Sequence, residues 1–332
     1  MKREGMHLIY HVNELGFMGF VEVLKHLPVI RSMKNTLETV LRHKKPDVVL
    51  LIDYPGFNLR FAEIAKRTGS KVVYYISPQV WAWHRSRVKK MRGIVDKMLV
   101  IFPFEADIYR KEGIDAEFVG HPLLEVLRSD LDRTGFQKRF NLDAGRKILA
   151  LLPGSRKQEI EMIFPEMLRA ARVIAADEGM EVVVAVAPTL PEELFKTLYN
   201  VEGVKLVKNA TYDVMGNSDF ALVTSGTATL ETGLFGTPMV VVYKTSWLTY
   251  LIGRLLVSVK NIGLVNIVAG KQIVPEFIQH RARGATLARE VLKILRDEPL
   301  LLAMKKELLT VRGKLGEIGA STRVAQRILE LV

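Results

Sequence analysis

The sequence predicts an α/β protein made of two doubly wound domains, each with a parallel sheet, that face each other across a cleft. Short apolar runs alternate with amphipathic stretches along most of the 332 residues, and this alternation is typical of strand–helix units. The runs are apolar at consecutive positions, which favours strands that helices cover on both faces. The length suits two domains of ordinary size.

The first domain is predicted from the elements before residue 120. Buried strands are expected at residues 47–53, 71–77 and 97–102, with helices at 57–68 and 85–94. The pattern then stops in a charged stretch without strong strand signals, residues 124–145, and we place the link between the domains there.

A second series of elements follows the link. Its strands are expected at residues 147–152, 180–187, 204–207, 219–223 and 238–242, and its helices include 161–176 and 227–235. The tail from residue 287 to 332 is helical and basic. We therefore predict domains at residues 1–135 and 136–310, followed by a C-terminal helix at 311–332.

Composition and charge limit the classes of function. Apolar residues make up 48% and charged residues 25%, which is normal for a globular protein and argues against disorder. The absence of cysteine excludes disulfides and thiolate zinc sites. The net charge of +12 fits a polyanionic partner such as nucleic acid, an anionic membrane or a phosphorylated substrate, or simply a basic surface.

Two loops that follow strands have the composition of anion sites. In the first, Gly154 lets backbone approach a ligand, while Ser155 and Arg156 offer a hydroxyl and a charge at a helix start. In the second, Ser225, Gly226 and Thr227 supply small donors at the start of a helix, and Glu231 could accept hydrogen bonds from a ribose diol. The alternatives are an ordinary turn for the first loop, and N-capping with a first-turn acid for the second.

A third motif ends a strand of the first domain. Asp53 is a candidate general base at the strand end, and Asn58 could orient a substrate. The alternatives are a turn or helix cap for Asp53 and a helix cap for Asn58.

Aromatic and apolar segments could contact a sugar, a base or a membrane. Trp81 and Trp83 precede a basic cluster, so they are either stacking groups or a hydrophobic anchor. Met18, Phe20 and Trp247 belong to apolar stretches; that of Trp247 is flanked by Lys244, Arg254 and Lys260. Such stretches fit a membrane interface or a buried packing helix. None approaches the ~18 apolar residues of a membrane span.

Taken together, these segments resemble the lipid-A-disaccharide synthase family, inverting glycosyltransferases of the GT-B architecture. They occur in the family's order from about residue 5 to residue 279. The matching segments are MGFVEVLKHLP, KPDVVLLIDYPGFN, YYISPQVWAW, RVKKMRGIVDKMLVIFPFE, FVGHP, LLPGSRKQEI, TSGTATLETGLFGTPMVVVYK and NIVAGKQIVPEFIQ.

The resemblance implies a reaction of lipid A synthesis without a metal or other cofactor. UDP-2,3-diacylglucosamine would donate its sugar to 2,3-diacylglucosamine 1-phosphate (lipid X), giving a β-1,6-linked disaccharide 1-phosphate and UDP. The implied location is the inner face of the cytoplasmic membrane, with the protein bound peripherally. A homodimer is a further expectation, and no nucleic-acid partner is expected.

The resemblance also implies roles for residues and domains. The first domain would be the acceptor side, with Asp53 as the base, and the second would bind the UDP-sugar, with Arg156 on the departing diphosphate. Ser225, Gly226, Thr227 and Glu231 match the UDP-binding segment. Asn266, Gln272 and Glu276 match a segment expected to face the cleft.

The sequence departs from the family pattern at two places. Gly56 stands where some members have a second acid, so a mechanism that needs that acid is in doubt. The family's opening strand and its loop resembling Gly-Glu-Ala-Ser-Gly-Asp have no counterpart, and we expect the domain to be incomplete and the chain less stable than its relatives, with a loss that could extend to activity. A misplaced start would account for this as well as a true truncation.

Two other functions remain open from the sequence. One is a different GT-B enzyme that uses UDP-GlcNAc, such as an epimerase or a lipid-intermediate transferase of peptidoglycan synthesis. The other is a non-enzymatic anion-binding protein, for which salt-dependent RNA affinity without UDP binding would be the sign.

Overall fold

The structure is a computed structural model, and it describes residues 5–11, 27–81, 86–256 and 260–332. Three predicted site residues, Met18, Phe20 and Trp83, lie outside the described residues. The chain divides into two compact units. The first holds the described residues up to Val80, those from 86 to Val119, and Ser321–Val332, while Trp81 and Gly120–Ala320 belong to the second.

The first unit is a parallel sheet with helices on both faces. Its elements are α1 (Leu27–Lys44), β1 (Val48–Ile52), α2 (Pro55–Arg67), β2 (Lys71–Tyr75), α3 (Ser86–Met91), β3 (Lys97–Val100), α4 (Pro103–Lys111), β4 (Ala116–Phe118) and, from the end of the chain, α15 (Ala320–Leu329). The sheet order is β1-β2-β3-β4. The predicted strands and helices of this region are therefore present, and α1, α4 and β4 are additional.

Alternate residues of each strand enter two separate cores, as the pleat of a strand requires. Val72 and Tyr74 pack with side chains of α1 to α4 on one face. Val73 and Tyr75 pack on the other face with Val324 of α15. Both faces are thus covered at β2 and β3, which is why those strands are apolar at consecutive positions.

The second unit is a larger doubly wound domain. Its elements are α5 (Leu123–Val126), α6 (Arg133–Arg139), β5 (Ile148–Leu152), α7 (Lys157–Glu178), β6 (Glu181–Val186), α8 (Glu193–Leu198), β7 (Val204–Lys208), α9 (Thr211–Asn217), β8 (Phe220–Thr224), α10 (Thr227–Leu234), β9 (Met239–Tyr243), α11 (Trp247–Leu256), α12 (Leu264–Ala269), β10 (Glu276–Ile278), α13 (Gly284–Leu295) and α14 (Glu298–Lys314). All its strand pairs are parallel.

The order of this sheet is β10-β9-β8-β5-β6-β7. The chain starts in the middle at β5, builds outward through β6 and β7, and then returns to β8 on the other side. The loops after β5 and β8 consequently diverge at the point where the winding reverses. Doubly wound sheets bind ligands in the crevice at this position.

The boundary between the units lies at residues 119 and 120, whereas the sequence predicts it at residue 135. The segment before α6 is held to the second unit by the buried Asp213 of α9. Its Oδ1 accepts hydrogen bonds from the hydroxyl of Ser129 and from the backbone N–H groups of Asp130 and Leu131. A charged segment without strand signals is therefore part of a folded unit because one buried carboxylate binds its backbone.

Candidate functional site

A cavity of about 330 Å³ opens at the divergence of β5 and β8 in the second unit. The two anion-suited loops predicted from the sequence both line it, one from each strand. The lining residues are Leu152, Gly154, Ser155, Arg156, Glu159, Ala185, Ala187, Pro188, Thr211, Met215, Thr224, Ser225, Gly226, Thr227, Ala228 and Glu231. The fold therefore brings together all seven residues proposed for the two loops, although 69 or more positions separate the loops in sequence.

Glycine at position 154 is required by the geometry of the first loop. Its φ of +109° lies in a region that L side chains avoid. An added Cβ would lie 2.9 Å from Oε2 of Glu159 and 3.3 Å from Cγ2 of Thr224. A larger residue would therefore collide with Glu159 and Thr224, and glycine lets these two cavity-lining residues pack against the loop.

Arg156 stands at the start of α7 and reaches over this loop. It is the N-cap residue of the helix, and its Nη1 lies 2.5 Å from Oε1 of Glu159. The Arg156 side chain is 57% exposed, so the ion pair adds little stability. The guanidinium remains accessible to an anion in the cavity, where it can form charge-assisted hydrogen bonds.

The second loop presents the start of α10 to the same cavity. Gly226 is the N-cap residue, and within the described part of the chain no side chain caps this helix. The Ser225 hydroxyl donates to the carbonyl oxygen of Ile262 instead, at 2.9 Å. The capping predicted as the alternative is therefore not formed, and the first N–H groups of the helix can bind an anionic group.

Glu231 lies beyond the first turn of α10, on the wall of the cavity. The Tyr212 hydroxyl donates a hydrogen bond to its Oε1 at 3.1 Å. Burial raises the pKa of Glu231, and the bond from Tyr212 acts in the opposite direction. The other carboxylate oxygen can accept hydrogen bonds from a ligand.

Asn266 and Glu276 lie next to the second loop and bind protein groups. The buried Asn266 amide donates to Oε1 of Glu276 at 2.8 Å and accepts from the backbone N–H of Ile273 at 2.8 Å. Glu276 accepts from the N–H groups of Ile262 and Gly263, each at 2.9 Å. Together they fix the segment whose carbonyl holds Ser225.

Gln272 is exposed in the loop between α12 and β10. The residues that line the cavity include neither it nor Asn266 nor Glu276. Of the three predicted site residues in this segment, Asn266 and Glu276 therefore support the second loop, and Gln272 lies on the surface.

Asp53 is exposed at the end of β1 in the first unit. Both it and Tyr54 have left-handed backbone angles, with φ of +47° and +46°, which are costly for residues with a Cβ. The Asn58 amide donates to the Asp53 carbonyl oxygen at 2.7 Å, and the Tyr74 hydroxyl donates to the same oxygen at 2.7 Å. These two bonds hold the strained turn that carries the carboxylate.

The helix after this turn begins at Pro55, so Asn58 does not cap it and the N-cap residue is Tyr54. Proline at the first position suits a helix start because its missing N–H would have no partner there. The helix-cap alternatives for Asp53 and Asn58 are therefore wrong, and the Asn58 amide instead binds the carbonyl oxygens of Ile52 and Asp53 in the turn.

A groove of about 400 Å³ borders the same helix of the first unit. Leu59 and Met91 contribute apolar walls, Arg60 and Lys90 contribute cationic side chains, and Glu63 adds one carboxylate. This combination suits a ligand with both an alkyl and an anionic part.

The remaining aromatic candidates are placed in opposite environments. Trp81 is buried, with 7% exposure, and Trp247 is 69% exposed on α11. Leu251, one turn further along α11, is 58% exposed. The flanking Lys244 is bound to Glu166, with 2.8 Å between Nζ and Oε1, and Arg254 is exposed.

Sequence reasoning missed several residues of the cavity region: Glu159, Ala185, Ala187, Pro188, Thr211 and Met215 in its lining, and Tyr212 beside it. Glu159 could have been suspected from its place one turn after Arg156. The three residues of α9 carry no local signal, because only the sheet order places α9 beside α10.

Across residues 5–11, 27–81, 86–256 and 260–332, no helix has the length and hydrophobicity needed to cross a membrane. In that same part of the chain, no group of three or more His, Asp or Glu side chains is arranged to hold a metal ion.

Comparisons of the sequence with known proteins point to one family. A family model described as lipid-A-disaccharide synthetase matches residues 1–320. The lipid-A-disaccharide synthase of Syntrophus aciditrophicus is 44% identical over 336 residues, which cover 100% of this chain and 88% of the relative. The synthase of Myxococcus xanthus is 41% identical, with 99% of this chain and 87% of the relative covered.

Solved structures show the same two-sheet fold at low sequence identity. A UDP-GlcNAc 2-epimerase from Neisseria meningitidis, bound to UDP-GlcNAc, has a TM-score of 0.64 and 15% identity, and the match covers 94% of this chain and 82% of the epimerase. A glycosyltransferase from Rickettsia africae has a TM-score of 0.55 and 10% identity, with 90% and 80% covered. The predicted GT-B class of fold is thereby confirmed.

Proposed function

Because the chain belongs to the lipid-A-disaccharide synthetase family, we propose that it joins UDP-2,3-diacylglucosamine to 2,3-diacylglucosamine 1-phosphate. The products are the β-1,6-linked disaccharide 1-phosphate and UDP. The observation that supports this most directly is the cavity at the divergence of β5 and β8. It offers an uncapped helix start and an arginine to a diphosphate, with a carboxylate alongside.

The donor would bind with its diphosphate on the two loops. The N–H groups at the start of α10 and the backbone at Gly154 favour the anionic phosphates. Arg156 would exchange Glu159 for the diphosphate and stabilise the charge that develops as UDP leaves. Glu231 would accept hydrogen bonds from the ribose hydroxyls, which a carboxylate can do with its free oxygen.

Inversion at the sugar carbon requires a single displacement by the acceptor 6-hydroxyl. We assign the base to Asp53, whose exposed carboxylate can take the hydroxyl proton as the new bond forms. Asn58 and Tyr74 would keep that carboxylate in place through the carbonyl oxygen of the turn. The groove beside α2 fits the acceptor, with its apolar wall for an acyl chain and Arg60 or Lys90 for the 1-phosphate.

Both substrates carry acyl chains, so the protein would work at a membrane surface. The exposed Trp247 and Leu251 of α11 would enter the interface, and the net charge of +12 would favour anionic lipids. The proposed location is therefore peripheral, on the inner face of the cytoplasmic membrane.

The test is a transferase assay with UDP-diacylglucosamine and lipid X in detergent. Arg156→Ala should lower kcat by about 100-fold, the scale of losing one group that stabilises developing negative charge. Lys157→Ala is the matched control, because Lys157 is the next residue and pairs with Glu161 on the exposed side of α7.

Disaccharide formation that survives Arg156→Ala would contradict the assigned role of the arginine. Epimerisation of UDP-GlcNAc in the absence of an acyl acceptor, without disaccharide formation from the full substrates, would contradict the function itself.

A further inference from the structure

Tyr212 is a polar residue beside the proposed nucleotide site, and its partner in the cavity wall is Glu231. It is the second residue of α9, and its hydroxyl reaches Oε1 of Glu231 on α10 at 3.1 Å. Its neighbours Thr211 and Met215 on the same helix line the cavity. Tyr212 thus approaches the carboxylate from the protein side.

The tyrosine ring is fixed by packing. Its centroid lies 6.0 Å from that of Phe235, at an interplanar angle of 50°, and Phe235 directly follows α10. The hydroxyl is also a dependable donor. Burial, together with the nearby Glu231, raises the pKa of Tyr212 to about 12, so it keeps its proton at neutral pH.

A carboxylate on a helix can rotate about its side-chain bonds, and a ligand must then restrict that freedom when it binds. A hydrogen bond to one oxygen removes much of this freedom in advance. Glu231 lines the cavity, so its second oxygen can accept from a ligand there.

We propose that Tyr212 is a positioning residue that holds the Glu231 carboxylate in the orientation that accepts the ribose hydroxyls of the UDP-sugar. The inference rests on the proposed function, because it takes Glu231 as the ribose ligand. It adds a specificity consequence: the tyrosine sets how well the site distinguishes a ribonucleotide from a deoxyribonucleotide.

The experiment measures the Kd values of UDP and 2′-deoxy-UDP by calorimetry on the full chain. A hydrogen bond to a charged acceptor contributes about 1.5–3 kcal/mol, so we expect the wild type to prefer UDP by at least about 10-fold. In Tyr212→Phe the ring still packs on Phe235, but the preference should fall about 3-fold or more. The KM of the UDP-sugar should rise while kcat stays near the wild-type value, as for a group that binds ground and transition states equally.

Tyr199→Phe is the matched control. Tyr199 lies in the same unit and packs edge-on against Phe164, with 5.0 Å between ring centroids, and it should leave the preference unchanged. The melting temperature of each variant shows whether the protein is still folded, so that a change in UDP preference can be attributed to the orientation of the Glu231 carboxylate.

Each result has a distinct meaning. An unchanged UDP preference in a folded Tyr212→Phe variant would overturn the positioning role while leaving the proposed function intact. A wild type that binds UDP without discriminating against the deoxy form would overturn Glu231 as the ribose ligand, and this inference with it. A wild type that binds no UDP would overturn the proposed function as well.

Discussion

At the scale of single residues, the polar side chains near the proposed site are used mainly to hold backbone. Asn58 and Tyr74 bind the carbonyl oxygen of Asp53, and Asn266 and Glu276 bind the segment next to the second loop. The groups that remain available to ligands are therefore few, which makes substitutions at them informative.

Gly56 is a position where an acid can be added without a steric clash. It is the second residue of α2, and a Cβ there would meet no described atom within 4 Å. We expect Gly56→Asp to raise the free energy of unfolding by about 0.5–1 kcal/mol, since an acid in the first turn favours the helix dipole and replaces a flexible glycine. Urea denaturation measures this.

The kcat of that variant at saturating acceptor should equal that of the wild type, because Asp53 is the proposed base. The KM of the anionic acceptor should rise, because Gly56 lines the proposed acceptor groove. Gly56→Asn is the matched control, with the same shape and no charge. A rise in kcat with Asp but not with Asn would show that a second acid assists the reaction and that the single-base mechanism is incomplete.

Glu166 predicts a pH dependence of stability in the second unit. Burial alone would raise its pKa, but hydrogen bonds from Lys244, Arg169 and the backbone N–H of Gly284 outweigh burial and lower the pKa from 4.5 to about 2. A depressed pKa stabilises the fold at pH values above 4.5, and this contribution is lost as the pH falls from 4.5 to about 2.

We therefore expect Glu166→Gln to lower the free energy of unfolding by about 2 kcal/mol at pH 7 and to flatten its decline below pH 4.5. Glu290→Gln, which removes an exposed partner of Arg289 and Lys293, should change it by less than about 0.5 kcal/mol. Equal effects of the two substitutions would show that the Glu166 contacts add nothing beyond a surface pair.

Residue chemistry can be predicted from the sequence where it is local, and not where it depends on tertiary contacts. Gly154, Arg156 and Ser225 are recognisable because small and charged residues directly after a strand are typical of anion-binding turns. The bond between Tyr212 and Glu231 spans 19 positions, and no local pattern indicates it. The resemblance assigns Asn266 and Glu276 to a cleft, whereas the structure shows that they bind each other.

At the scale of secondary-structure elements, α15 completes one core of the first unit. The other residues of that core come from much earlier in the sequence. Val324 is 6% exposed and packs with Val73, Tyr75, Leu99 and Val119. Arg327 adds an ion pair with Glu117, at 2.8 Å from Nε to Oε1. The helix therefore supports the sheet that carries Asp53.

Val324→Ala should lower the stability of the first unit by about 1–2 kcal/mol, because it leaves a small cavity in this core. Leu329→Ala on the same helix is the control, since Leu329 is 73% exposed. Hydrogen exchange measures the stability of each unit separately. Amides of β2 and β3 should lose protection from exchange in the variant, while those of β5 and β8 should keep it. Loss of protection in both sheets would contradict a local role for α15.

Elements with long apolar runs are predictable, and short or mixed ones are not. The runs that form β2, β5 and β8 are apolar at consecutive positions, because helices cover both faces. β4 and β10 have three residues each and include Glu117 and Glu276, so neither alternation nor a continuous apolar run marks them. Their strand form comes from pairing with β3 and β9.

At the scale of the whole molecule, charge and exposed apolar surface together predict membrane binding that depends on salt. Trp247→Ala with Leu251→Ala should weaken binding to vesicles containing anionic lipid by about 10-fold or more, since each buried apolar side chain contributes about 1.5–3 kcal/mol. Leu302→Ala is a matched control, because Leu302 is as exposed as Leu251, at 58%, and lies on α14.

Raising the ionic strength from about 0.1 M to 1 M shortens the screening length from ~10 Å to ~3 Å, and wild-type binding should weaken accordingly. Vesicle sedimentation measures both effects. If the substitutions on α11 leave vesicle binding unchanged, α11 is not the surface that contacts the membrane.

The return of the chain to the first unit in α15 sets an order for folding during synthesis. The ribosome makes Val73, Tyr75 and Leu99 early, but their partner Val324 follows Leu99 by 225 residues, which takes roughly 11–45 s at ~5–20 residues per second. For that interval the nascent first unit carries an uncovered apolar sheet face, while the second unit has all its strands before the last helix appears. The later unit can thus complete its core first, whereas the core that Val324 joins in the first unit is completed only when the end of the chain emerges.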